Sequence, residues 1–261
     1  MKVGATIRPD MGENHVIKDC FSMIELLEEI KDRIDFIEIY CQYPFPVNLQ
    51  KGLDELNQFL RENKIEVGLH FPAEYHDRWM KKKSFSRILK IMSDFSKKIN
   101  AKFMMIHPGD LTYFLDATNR EEILDGLTRI NEKIPCKLVV ENGITLLERA
   151  DDLDFFAQGG IEISVNVCHT RQANYAFEMF AQNFKKWGSK LFMFHVSDYD
   201  ETPHIELKKG KIKWGSILRK IRKTKAYGVC CETLYSKQDN IIYRAPKTSL
   251  INSLRFLQKV R

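Results

Sequence analysis

Eight short apolar runs, each followed by a longer amphipathic stretch, recur along the whole chain and leave few folds open to it. The runs are Val3–Ile7, Phe36–Tyr40, Glu66–His70, Phe103–His107, Leu138–Glu141, Glu162–Val167, Leu191–Val196 and Val229–Glu232. Between them apolar residues return at helical spacing, as in Ile24, Leu27 and Ile30, or Ile88, Leu89, Ile91, Met92 and Phe95. A last helix is predicted around Ser249–Val260, with Leu250, Leu254 and Leu257 on one face. Strands apolar on both faces, each followed by a helix, imply a parallel sheet covered by helices. Eight units in 261 residues, one per roughly 33, suit a closed (β/α)₈ TIM barrel of about 250 residues. An open doubly wound sheet is the competitor, but neither GxGxxG nor GxxxxGK[ST] follows any strand. No proline- or glycine-rich linker divides the chain, so one α/β domain over 1–261 is expected.

No apolar run approaches the roughly 18 residues a membrane span needs. The start, Met1-Lys2-Val3-Gly4-Ala5-Thr6-Ile7, reads as a strand and lacks a signal peptide's pattern, so a cytoplasmic protein is expected. The 41 Lys and Arg against 35 Asp and Glu give +6 with histidine neutral, a mild excess that permits anionic substrates or nucleic acid without demanding either. Six cysteines without a CxxC pair argue for reduced thiols and against a zinc ribbon or a disulfide scaffold. Cys230 and Cys231, adjacent in a strand, should point to opposite faces.

The chemistry lies at the strand ends. In a barrel of this kind reactive residues sit at the C-terminal ends of the strands and in the loops that follow. His70, His107 and His195 fall at or near such ends, and His169 and His204 follow strands six and seven. Glu38, Glu141, Asp198 and Glu232 join them. Buried ionisable groups cost several kcal/mol each unless paired or bound to a cation. Five histidines and several carboxylates at one rim therefore point to a divalent metal. Imidazole and carboxylate without thiolate suit Zn²⁺, Mn²⁺, Fe²⁺ or Co²⁺ better than Ca²⁺.

These residues carry a resemblance. Leu69-His70-Phe71-Pro72, Ile106-His107-Pro108-Gly109, Val140-Glu141-Asn142, Asn166-Val167-Cys168-His169, His195-Val196-Ser197-Asp198, the His204 to Trp214 segment and Cys231-Glu232-Thr233 are similar to motifs of the xylose isomerase-like TIM-barrel superfamily. That superfamily holds sugar isomerases and epimerases and also endonuclease IV. The resemblance implies a core metal on Glu141, Asn166, His195 and Glu232, and a second on His70, His107 and a bridging Glu141. Position 166 is Asn where the family has Asp, which removes a charge but keeps a carbonyl oxygen. Position 202 is Thr where the endonuclease branch has Asp, leaving a third site on His169 and His204 short of a ligand. Both departures weigh against DNA repair more than against sugar chemistry.

The first reading is a sugar or sugar-phosphate isomerase or epimerase dependent on Mn²⁺, Zn²⁺, Co²⁺ or Mg²⁺. It would work by proton transfer through an enediolate, with Glu141 and Glu232 as the acid–base pair and His169 orienting a hydroxyl. His204, Glu38, Lys209 and Trp214 are candidate substrate contacts, and Arg8 a weaker one. The second is an abasic-site phosphodiesterase acting on DNA through two or more zinc ions, with Lys208, Lys209, Lys211 and Lys213 meeting phosphates and Trp214 wedging beside a base. The third is a barrel that binds a sugar-like ligand without catalysis, supported by Asn166 alone. The Glu74–Trp79 stretch is a candidate substrate loop. The chain is compatible with an oligomer.

Overall fold

A computed structural model describes residues 1–8, 19–41, 50–71, 82–109, 119–143, 149–174, 176–238, 241–244 and 246–259. Pro72 and the Glu74–Trp79 stretch lie outside them. Strands β1 (Lys2–Ile7), β2 (Phe36–Tyr40), β3 (Glu66–His70), β4 (Phe103–Ile106), β5 (Lys137–Glu141), β6 (Glu162–Asn166) and β7 (Leu191–Val196) form all but one stave of a closed parallel barrel. Two further strands, β8 (Asp198–Asp200) and β9 (Thr202–Ile205), precede the eighth stave, β10 (Gly228–Cys231), which closes the barrel between β7 and β1. The fold is a (β/α)₈ TIM barrel in one domain.

Helices α1 (Cys20–Ile30), α2 (Leu53–Glu62), α3 (Lys82–Lys98), α4 (Arg120–Asn131) and α5 (Ala150–Gln158) separate the first six staves. After β6 come three short helices, α6 (Val167–Gln172), α7 (Phe177–Ala181) and α8 (Phe184–Trp187); α9 (Trp214–Ile221) precedes β10 and α10 (Pro246–Lys259) ends the described chain. Local chemistry starts several of these helices. Asp19 and Ser22 make a reciprocal capping box on α1, and Asn119 accepts from Glu122 N–H at 2.9 Å ahead of α4.

Period-2 alternation divides each stave between two environments. Ile37, Ile39, Val67, Leu69, Met104, Ile106, Leu138, Val140, Ile163 and Val165 face outward into the helical layer. Inside, Phe36, Phe103, Met105, Val139, Phe192, Met193 and Cys230 make a separate apolar plug. Gly4 and Gly68 make that plug possible, because a Cβ at either would fall within the ring of Phe36 or Phe103. On the same inward parity, two residues further on, stand Glu38, His70, Glu141, Asn166, His195 and Glu232.

The sequence did not announce one element. A second sheet in the order β12-β11-β9-β8 is built from the β8–β9 hairpin and the β11 (Tyr235–Gln238)–β12 (Ile241–Arg244) hairpin, one after each of the last two staves. Glu201 turns the first hairpin in the left-handed region, at φ 62°. No helix of the described residues is long and apolar enough to cross a membrane.

Candidate metal centre

The residues two steps beyond the plug converge. Glu38, Glu141, Asn166 and His195 have no exposed surface, and His70 and Glu232 almost none. Among the described residues three sets of side chains bring ligand atoms within 4.8 Å of one another: Glu141, His195 and Glu232; His70, His107 and Glu141; and Glu38, His70 and His195.

Glu141 is the hinge of the arrangement. Its Oε2 lies 3.3 Å from His70 Nε2 and 3.4 Å from His107 Nε2. Its Oε1 lies 2.6 Å from His195 Nδ1, which is 3.6 Å from Glu232 Oε2. One carboxylate thus serves two groups of imidazoles, one oxygen to each.

The protonation states follow from the partners. Both nitrogens of His195 face carboxylates, since Nε2 lies 3.1 Å from Glu38 Oε1. His70 Nδ1 donates to the Phe71 carbonyl at 2.8 Å, which turns Nε2 toward Glu141. A neutral imidazole at either place would aim a lone pair at a carboxylate oxygen, so a proton or a cation must lie between. In the absence of a cation the neighbouring carboxylates favour the protonated form of both rings. Burial would lower His195, but Glu141 and Glu38 overcome it and hold the pKa well above the ordinary value. His70 is raised for the same reason, burial being outweighed by its Glu141 hydrogen bond and the nearby carboxylates. Glu141 and Glu232 are held well below the carboxylate range, since the histidines about them, and Arg8 beside Glu232, outweigh burial. Burial pushes His107 down to about 3 and His204 to about 4, so both are neutral and able to bind a cation.

The donor set fits a divalent ion. Glu141 Oε1 and His195 Nδ1 are both buried, and at 2.6 Å they are not aligned as a hydrogen bond. Two buried polar atoms left without an aligned hydrogen bond are the kind of groups that a divalent ion satisfies. Glu38 completes the support, taking a hydrogen bond from Thr6 Oγ1 at 3.3 Å while holding His195 Nε2.

Above this cluster a cavity of about 320 Å³ is lined by Arg8, Tyr40, His70, His107, His169, His204 and Glu232 among others. His169 donates Nδ1–H to the Asn142 carbonyl at 3.0 Å. His204 sits in the left-handed region at φ 58°, with Nδ1 3.4 Å from Glu232 Oε2. Arg8 Nη2 meets Glu232 Oε1 at 2.8 Å, and its guanidinium lies 4.1 Å over the Tyr40 ring.

Several candidate residues lie away from the cavity or have the expected atom engaged elsewhere. Trp214 is buried, its indole N–H donating to Asp198 Oδ2 at 2.9 Å, and it does not line the cavity. Asp198 is itself a loop organiser, accepting also from the backbone of Tyr199, Lys208 and Ile212. Lys209 is exposed and outside the cavity lining, and Lys211 is paired with Asp200 at 2.6 Å. Glu38 has no exposed surface, is not part of the cavity lining and holds His195 Nε2 at 3.1 Å. Asn166 turns its amide nitrogen, not its oxygen, toward Glu232 (2.9 Å), because that oxygen caps α6. Sequence reasoning passed over Tyr40 and Asn142. Tyr40 shares the inward parity of Glu38, a signal that was there to be read.

A family model described as xylose isomerase-like TIM barrel matches residues 25–260. None of the curated proteins matches the chain. Among solved structures it is similar to endonuclease IV from Thermus thermophilus (14% identity, TM-score 0.63, 100% of this chain and 98% of that one). It is similar also to a putative sugar phosphate isomerase/epimerase from Anabaena variabilis (15%, 0.64, 99% and 97%). A probable 3-DHS dehydratase from Bacillus anthracis shows the same likeness (10%, 0.67, 98% and 98%). At these identities the likeness is one of fold.

Proposed function

The chain belongs to the xylose isomerase-like TIM barrel family, and from that premise we propose that it is a divalent-metal-dependent isomerase or epimerase of a sugar or sugar phosphate. The observation that carries the reading is the convergence of two ionised glutamates, Glu141 and Glu232, on Nδ1 of His195 beneath a cavity of about 320 Å³. That volume sits at the small end of the roughly 300–1,000 Å³ typical of small-molecule sites.

Glu141, His195 and Glu232 would hold the ion, with His70 and His107 on the far oxygen of Glu141. A divalent ion supplies Lewis acidity there, polarising a substrate carbonyl and acidifying the C–H beside it. The protein does the rest. Glu232 lines the cavity in ionised form and would accept a proton from carbon; Glu141, fully buried on the other side of His195 Nδ1, would be its acid–base partner. His169, its Nδ1–H committed to Asn142, offers Nε2 as acceptor for a substrate hydroxyl. Arg8, stacked on Tyr40, offers a fixed guanidinium to an anionic or hydroxyl-rich group.

A second reading, hydrolysis of a phosphodiester at an abasic site in DNA, is favoured by the two-sided Glu141, since one bridging carboxylate is how two ions are held together. One basic surface lies away from the cluster. Among the described residues a hollow of about 660 Å³ is lined by Lys185, Lys220, Lys223 and Lys225. Those residues lie on segments leading into the starts of β7 and β10, the end of the barrel opposite the cluster.

The test is to load the purified protein with Mn²⁺, Co²⁺, Zn²⁺ or Mg²⁺ and follow deuterium exchange from solvent into ketoses and ketose phosphates. Exchange that disappears in Glu141→Gln and Glu232→Gln supports the isomerase. Incision of an abasic oligonucleotide without any exchange overturns it.

A further inference from the structure

Every polar atom of Asn166 is engaged. Its N–H donates to Asn142 Oδ1 at 2.6 Å, and its carbonyl accepts from Asn142 Nδ2 at 3.2 Å. Its side-chain Oδ1 accepts from the backbone N–H groups of Cys168 and His169, at 3.0 and 3.2 Å, and so caps α6. Its Nδ2 donates to Glu232 Oε2 at 2.9 Å. The residue has no exposed surface. The amide cannot be turned over, because Oδ1 would then face a carboxylate and the NH₂ would face two N–H donors. Offering the oxygen to a cation would strip the cap from α6 and the donor from Glu232 together.

We propose that Asn166 is a positioning residue and not a ligand: it holds Glu232 by donation, and the core cation position is served by the side chains of Glu141, His195 and Glu232 alone. Three protein ligands leave coordination positions for substrate or water, the mark of a catalytic rather than a structural site. The amide also explains how the site stays assembled without an ion. An Asp here would keep the cap but set a second carboxylate oxygen against Glu232, a like-charge contact that only a cation or a proton relieves. The ion-binding arm of this proposal rests on the metal reading above; the metal-free arm does not.

Two variants test it, N166D and N166S, the latter keeping a capping oxygen while removing the donor. Co²⁺ is titrated into each, its visible spectrum and dissociation constant are recorded, and the metal-free proteins are melted in chelator at pH 8. N166D is expected to bind Co²⁺ about tenfold tighter or more. Its spectrum should differ from wild type, as a fourth protein ligand joins, and its metal-free melting temperature should be lower. N166S should bind more weakly yet reproduce the wild-type spectrum. Folding of N166D only on addition of Co²⁺ is the extreme form of the same result. The proposal is overturned if N166S alters the spectrum while N166D leaves it unchanged, since Asn166 is then a ligand. It is overturned equally if metal-free N166D melts at or above wild type. Failure of the wild type to take up Co²⁺ would defeat the metal-dependent function, and the order of the metal-free melting temperatures would still decide the role of Asn166.

Discussion

The two ends of the barrel interior are built from the same staves and obey opposite rules. At the end where the strands begin, Phe36, Phe103, Met105, Val139 and Phe192 fill the space between strands, with Phe36 and Phe103 edge to face at a centroid distance of 6.0 Å. At the end where they finish, the same inward column holds Glu38, His70, Glu141, His195 and Glu232, all buried and all ionisable. Stability is concentrated at the first end by packing and given up at the second, where buried charge is tolerated because a partner charge or a cation meets it. One end keeps the barrel closed, and the other is free to carry chemistry.

The largest effect should come from the packed end. Gly68→Ala places a methyl inside the Phe103 ring, backed by parallel neighbours that cannot move apart. Urea unfolding should show a loss of about 3 kcal/mol. Co²⁺ bound per folded molecule should be unchanged. A loss under about 1 kcal/mol would mean the plug is looser than its geometry.

The polar end should respond to ions where the packed end does not. A divalent ion at a hundred times its dissociation constant should stabilise the protein by about 2.7 kcal/mol. His195→Ala should abolish that gain, and Gly68→Ala should keep it in full. Equal gains in both variants would place the ion somewhere else.

Titration separates the ends again, more gently. His107 and His204 have folded pKa values of about 3 and about 4, below the unfolded value near 6.5. Between those limits the unfolded chain takes up protons that the folded one refuses. Their contribution is complete above pH 6.5 and is lost as pH falls, by up to about 1.4 kcal/mol per pH unit for each histidine. Glu141 and Glu232, lowered on folding, add a loss in the same direction at more acid pH. His195 and His70 are raised, so their contribution is complete below the unfolded value and disappears as pH rises through the folded one. Metal-free stability should therefore peak near neutrality, and His204→Asn should flatten its acid limb. The deficit of Gly68→Ala should be equal at pH 5.5 and 7.5.

How far this contrast was legible depends on which forces set each part. The eight staves and their order are written in period and spacing, which local sequence carries, and the strand bounds shift by only a residue or two. Strand-end position gathered the histidines and glutamates at one rim, and the family resemblance singled out His70, His107, Glu141, His195 and Glu232, whose side chains lie together. What stayed hidden was set by contacts between distant segments. Asn166 offers an oxygen on paper, but the N–H groups of α6 take that oxygen first. Glu38 reads as a rim carboxylate, yet the inward parity of β2 buries it against His195 Nε2. The second sheet depends on strands of three or four residues, too short for periodicity to declare.

Trp214 gives the smallest and most specific test of where the polar end stops. As an aromatic in a lysine-rich loop after β7 it reads as a substrate contact, whereas its indole is buried and its N–H donates to Asp198. Asp198 gathers that loop through three backbone donors as well, at 2.8, 2.9 and 3.0 Å. Trp214→Phe keeps most of the buried ring and deletes one hydrogen bond to a carboxylate that retains its others. The expected cost is about 1–2 kcal/mol of stability, with kcat and KM of any activity found unchanged. A KM raised tenfold at unaltered stability would return Trp214 to the substrate and extend the chemical end of the barrel into the loop.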